Sequence, residues 1–225
     1  MIVIDSEGLG GLDEDNNHDM RIFSLALLMS SAFVYNSMGQ IDENAIQNLS
    51  MVANLSQLIQ KKVGQGDERE AIEQIFPDFL WVLRDFSLQL EDEEGNEITS
   101  KQYLEKALSL RTNDPHDTKN KIRDSLCKFF KNRDCSTMVR PLLSEDRLQS
   151  LEELEIESLR AEFIEQVMDL RRKLLNKLPV KKIQGHSMDG ATWAGLIQLY
   201  VKSINTGQMP DIESSWTNIC RAKAT

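Results

Sequence analysis

The sequence predicts an α/β fold, a mostly parallel sheet with flanking helices whose C-terminal third is helical. Three observations carry this. Apolar runs without alternation occur at 2–4 (IVI), 32–37 (AFVYNS) and 79–83 (FLWVL), the pattern of strands covered on both faces. Stretches with helical periodicity and capping residues lie between them, as crossover helices do between parallel strands. The first and third runs stop on charge, at Asp5 and at Arg84-Asp85, and ligands of open parallel sheets gather at the carboxyl ends of the strands.

Residues 2–5 are expected as a buried parallel strand, and 6–18 as a loop carrying Gly8, Gly10 and Gly11. A helix is expected from about Asp19, whose carboxylate can cap "MRIFSLALLMSS". The run at 32–37 reads as a buried strand. Asp42 opens a helix expected to reach about Lys62, where "GQGDE" (64–68) breaks it. "FPDFLWVLRDF" (76–86) reads as a central strand and the acidic "EDEEGNE" (91–97) as a turn. Thr99 starts a helix, and 117–130 forms another. "STMVRP" (136–141) is expected as a further strand ended by Pro141. Residues 145–176 read as helical with a break at "EELEIESL". A strongly amphipathic helix is expected at 188–205, capped by Asp189 and ended by Gly207, and Pro210 opens a last one. There is no internal repeat.

Composition narrows the function. Of 225 residues, 40% are hydrophobic and 28% charged, as in a soluble globular chain. A net charge of -10 argues against a nucleic-acid surface, which needs clustered Lys and Arg. The one basic stretch, "RRKLLNKLPVKK" (171–182), reads as a solvated helix face. Cys127, Cys135 and Cys220 form no CxxC pair, and His18, His116 and His186 are not at zinc-ligand spacing from them. Ordinary thiols in a reducing compartment are expected, with no signal peptide. Residues 22–41 carry no charge but contain four serines, an asparagine and a glutamine, too polar for a membrane span.

The chemistry lies at the strand ends. In Asp5-Ser6-Glu7-Gly8, a carboxylate at a strand end can hold magnesium through water, and the glycine lets backbone approach a phosphate and donate its N–H. Asp-x-x-Gly alone occurs by chance in many turns. At Arg84-Asp85, a carboxylate offers acceptors only. It can take hydrogen bonds from the ring N–H and the amino group of guanine, whereas adenine has no matching donor pair. The plainer alternative there is a strand-end salt bridge or a helix cap.

Together, in this order and about 80 residues apart, the two motifs resemble those of the guanylate-binding protein and atlastin family of large GTPases, in the dynamin superfamily. "DSEGLG" resembles that family's third G motif and "AFVYNSMGQID" the strand and loop after it. "FPDFLWVLRDFSLQL" is similar to its guanine-specificity segment, "KFFKNRDCSTMVRP" to the entry of its guanine cap, and "MDGATWAGLIQLYVKSINTGQMPDIESSW" to the end of its GTPase domain and start of its helical stalk. The resemblance covers nearly the whole chain and is nearer the guanylate-binding branch. It implies a P-loop-type G domain, incomplete at its N-terminus, at 1–208, and the start of the stalk at 209–225.

The resemblance also implies roles. Asp5 helps hold Mg2+ through water, Gly8 offers its N–H to the γ-phosphate of GTP, and Glu7 helps organise the proton relay around the attacking water. Ser6 and Leu9 belong to the same nucleotide-binding turn. Arg84 and Asp85 recognise guanine in GTP or GDP, and Arg140 and Pro141 stand where the cap begins. The family has an acidic residue where this chain has Val139. Implied partners are a guanine nucleotide and a second family member, the same or different, met across the nucleotide face. Membranes are reached only through regions beyond these residues, so the location is cytoplasmic, peripheral to membranes in the full-length form.

No Gly-x-x-x-x-Gly-Lys-Ser/Thr occurs in the 225 residues. The family places that phosphate loop, the first switch and an arginine finger ahead of the third motif. Phosphoryl transfer depends on positioning and charge stabilisation by such parts, so hydrolysis by these residues alone is expected to be poor. The competing expectation is a nucleotide-incompetent module, or pseudo-GTPase, that binds full-length relatives.

Overall fold

The structure, a computed structural model, describes residues 1–6, 16–52, 76–111, 117–176, 178–183, 185–206, 215 and 217–218, with 16–18 described by backbone alone. Its contacts divide the chain into two compact units: Met1–Phe33, Met51–Pro77 and Val180–Thr225; and Val34–Ser50 with Asp78–Pro179.

A three-stranded sheet, ordered β1 (Ala32–Met38), β2 (Asp78–Arg84), β3 (Arg133–Thr137), falls in the second unit from Val34 of β1 onward. Strand β2 is central, as its unbroken apolar run requires: Phe79 to Leu83 are all buried. It runs parallel to β3 with Trp81 opposite Cys135 and Leu83 opposite Thr137. Alternation then sorts the side chains. Leu80 and Val82 meet Met138 and, from helix α6 (Ala161–Asn176), Phe163, Val167, Leu170 and Leu174. On the other face Phe79 packs against Phe130, ring centroids 4.7 Å apart, and Trp81 lies edge-on to Tyr35 at 5.4 Å. The Trp81 indole N–H donates to Ser37 Oγ at 2.8 Å, which satisfies the polar atom of a fully buried side chain.

Short helices complete the unit: α2 (Glu43–Asn48), α3 (Ser100–Leu108), α4 (Thr118–Phe129) and α5 (Glu145–Leu148). The starts of α2 and α3 fall at the expected Asp42 and Thr99, and α4 starts within the expected 117–130. Asp42 accepts from the N–H groups of Asn44 and Ala45, and Asp117 from those of Lys119 and Asn120. Thr99 and Gln102 form a reciprocal capping box. Buried between helices is a charge: Arg123, 1% exposed, donates to Ala107 O at 3.1 Å and to the Glu43 carboxylate. Arg111 and Lys119 reach the same carboxylate at 3.1 and 3.6 Å, so one anion serves three cations.

The first unit carries α1 (Asn16–Met29) and α7 (Gly190–Asn205), with a small antiparallel hairpin of β4 (Lys182–Ile183) and β5 (His186–Ser187). Leu28, Ile183, Leu196 and Tyr200 form its core. The Trp193 indole donates to Met29 O at 3.0 Å and Lys181 Nζ to Ser30 O at 2.8 Å, which supplies donors to carbonyls at the end of α1 that the helix leaves unpaired. Asp189 caps α7 as expected.

Several expectations change. Residues 2–5 are not a buried strand: Met1 to Ile4 are 57–81% exposed and belong to no sheet. Backbone groups of a strand need a paired neighbour, and no described segment supplies one. Helix α1 begins at Asn16 rather than about Asp19, which lies buried in its first turn, where a carboxylate suits the helix dipole. Among the described residues strand β1 lies at the edge of the sheet, half exposed rather than buried. The helix from Asp42 is interrupted at Leu49, whose N–H turns back three residues to Ile46 O while its side chain is buried; its expected continuation from 53, and the break at 64–68, lie outside the described residues. Strand β3 spans 133–137 instead of 136–141. Its charged entry is compensated, Arg133 by Glu105 at 2.6 Å and Asp134 by Lys173 at 3.4 Å. Residues 145–176 divide into α5, two single turns at 151–153 and 156–158, and α6, the expected break being real. Gly207, Pro210 and the stalk boundary at 208–209 fall outside the described residues; of the helix expected from Pro210, Ser215, Thr217 and Asn218 are described, and all three are helical.

Burial of Cys135 on β3 is complete and pushes its thiol up to about 12. Native protein at pH 8 is therefore expected to leave Cys135 unlabelled by a thiol reagent, with mass mapping showing modification only after denaturant is added. Rapid native labelling at Cys135 would contradict the packing of this face.

Candidate functional site

Because β2 and β3 are parallel, their carboxyl ends lie on one edge of the sheet. Arg84, exposed, is the last residue of β2. Asp85 follows with φ of +54°, the left-handed conformation that Asp tolerates better than most residues. The turn is pinned on both sides. Arg84 O accepts from Gly39 N–H at 2.7 Å just after β1, where Gly39 itself needs a φ of +78°. Beyond β3, Met138 N–H donates to Leu83 O at 2.8 Å and Met138 O accepts from Phe86 N–H at 2.9 Å. Behind the turn Phe86 packs edge-on to Tyr103, whose hydroxyl accepts from Ile41 N–H at 3.0 Å. The exits of all three strands are thus stitched together.

Asp85 is held in this turn with its side chain 29% exposed. Arg140 Nε stands 3.6 Å from Asp85 Oδ2, and another guanidinium nitrogen pairs with Glu145. The plainer strand-end ion pair is therefore present. At that separation it leaves most of the acceptor positions of the Asp85 carboxylate open. The exit segment is tied to α6 and to the residue just before it: Val139 N–H donates to Gln166 Oε1 at 2.7 Å, Arg160 N–H to Pro141 O at 2.9 Å, and Arg160 Nη1 to Arg140 O at 3.3 Å.

Of the residues expected to act, Arg84, Asp85, Arg140 and Pro141 come together at this edge. Asp5 and Ser6 are exposed and belong to the other unit. Glu7, Gly8 and Leu9 lie outside the described residues. A single exposed carboxylate such as Asp5 suits magnesium only as one member of a shell otherwise made of water or phosphate oxygens. Among the described residues no group of three or more His, Cys, Asp or Glu is placed to hold a metal, and no helix is long and apolar enough to cross a membrane. Glu145, Arg160 and Gln166 went unnoticed in the sequence; their contacts are between segments, and no local spacing marks them.

The family model for the guanylate-binding protein N-terminal domain matches residues 1–183. The chain is 38% identical over 223 residues to guanylate-binding protein 2 of Mus musculus, covering 96% of the chain and 38% of that protein. It is 35% identical over 225 residues to guanylate-binding protein 1 of Homo sapiens, covering 96% and 38% respectively. The chain therefore spans 38% of the length of these relatives.

Proposed function

The chain belongs to the guanylate-binding protein family, and from that membership we propose that the joined ends of β2 and β3 recognise the guanine base of GTP or GDP. The observation that carries this is the Asp85 carboxylate, held at the sheet edge by hydrogen bonds before and after it and left partly open. It accepts the ring N–H and amino group of guanine. Arg84 lies alongside the nucleotide, and Arg140 and Pro141 close the edge from β3.

The proposed family activity is GTP hydrolysis. Asp5, Ser6, Glu7, Gly8 and Leu9 take the phosphate side: Gly8 donates a backbone N–H to the γ-phosphate, and Glu7 orders the water relay. Magnesium, when bound, neutralises phosphate charge, and Asp5 would hold it through water. With no phosphate-loop motif among the 225 residues, hydrolysis by these residues alone is slow. Association with a second family member across the nucleotide face, and a cytoplasmic site of action peripheral to membranes, are part of the same proposal.

Ligand-observed NMR tests the base-binding reading at low affinity. With GDP and ADP at equal concentration, saturation transfer is expected to the guanine and ribose protons of GDP, with ADP at background. Equal transfer to both nucleotides would sink the reading.

A further inference from the structure

We infer that Gln166 and Arg160 are positioning residues that preset the Arg140-bearing segment for base recognition, an inference that rests on the guanine reading of this edge. Residues 138–141 leave the sheet as a connection, and such a segment ordinarily loses freedom when it closes on a ligand. Here its backbone is already engaged. Met138 bonds both Leu83 and Phe86, Val139 N–H goes to Gln166 Oε1, and the carbonyls of Arg140 and Pro141 go to the side chain and backbone of Arg160. Three consecutive residues are thus each held once, two from Arg160, just ahead of α6, and one from Gln166 within it. That helix is itself fixed to the sheet through Phe163, Val167, Leu170 and Leu174. Arg160 is oriented in turn by Glu162 at 2.7 Å. With its backbone anchored, the Arg140 side chain is aimed between Asp85 and Glu145. Neither Gln166 nor Arg160 touches Asp85 in the observed contacts; they act through the segment.

Gln166 uses only its acceptor oxygen in this contact, so Gln166→Glu keeps the bond and Gln166→Leu removes it at similar size. Two readouts on the 225-residue chain test the inference: amide exchange at Met138, Val139 and Arg140 without nucleotide, and GDP affinity by NMR titration. Gln166→Leu is expected to speed Val139 exchange about tenfold and weaken GDP about three- to tenfold, as loss of one hydrogen bond implies. Gln166→Glu should match wild type in both. Unchanged exchange in Gln166→Leu, or faster exchange with unchanged GDP affinity, would overturn the inference. A wild type that takes GDP and ADP alike would overturn the guanine reading and the recognition role with it. That failure is told apart from the others because they compare variant with wild type.

Discussion

Replacing Asp85 with asparagine is expected to move base preference from guanine to xanthine by about a hundredfold. Guanine presents two donors side by side, a ring N–H and an amino group, and a carboxylate presents two acceptors. Asparagine presents one acceptor and one donor. Its amino group faces the guanine amino group, donor against donor, and a polar group left unpaired in a closed site carries the full desolvation penalty. Xanthine has a carbonyl oxygen where guanine has the amino group, so the amide meets it correctly. The substitution also removes the partner of Arg140 at 3.6 Å, but Glu145 still engages that guanidinium, and the turn is pinned by backbone bonds of Arg84, Phe86 and Met138. Folding should therefore be preserved. Competition between GDP and xanthosine diphosphate, followed by ligand-observed NMR, checks this; a variant that still prefers guanine would remove Asp85 from base recognition.

Glu43→Ala is expected to destabilise the fold by about 3 kcal/mol, the cost typical of stripping one partner from a buried ion pair. Arg123 is 1% exposed and would keep only Ala107 O and Asn120 as partners. Arg111 and Lys119 would lose their shared anion as well. The penalty belongs to the stranded cation, so adding Arg123→Met should recover most of it. Urea unfolding of the single and double variants measures both values. A single variant within about 1 kcal/mol of wild type would mean that the Arg123 charge is compensated without Glu43.

The central strand was the most legible part of the fold in the sequence. An unbroken apolar stretch at 79–83 can be buried only on two faces, and it is. Helix starts were legible for the same kind of reason: Asp42, Thr99 and Asp189 sit where local hydrogen bonds alone decide a helix start. The strand expected at 2–5 shows the limit of that logic. Ile2, Val3 and Ile4 carry the right pattern, but a strand is defined by its neighbour, which no local pattern reports. The hairpin at 182–187 was missed because two-residue strands are too short for alternation to register. Within the candidate site, Arg84-Asp85 and Arg140-Pro141 could be picked out by resemblance. The ion pair that joins them, and the hold of Arg160 and Gln166 from 20 and 27 residues on, arise from packing across the chain.

The most direct test of guanine recognition at the β2–β3 edge is a backbone amide NMR titration of the 225-residue chain with GDP, with ADP as the reference. Saturable shifts are predicted at Arg84, Asp85 and Phe86 and at Met138, Val139 and Arg140, with none of that size for ADP. Equal shifts with both nucleotides, or GDP shifts that leave these six amides unmoved, would contradict the account.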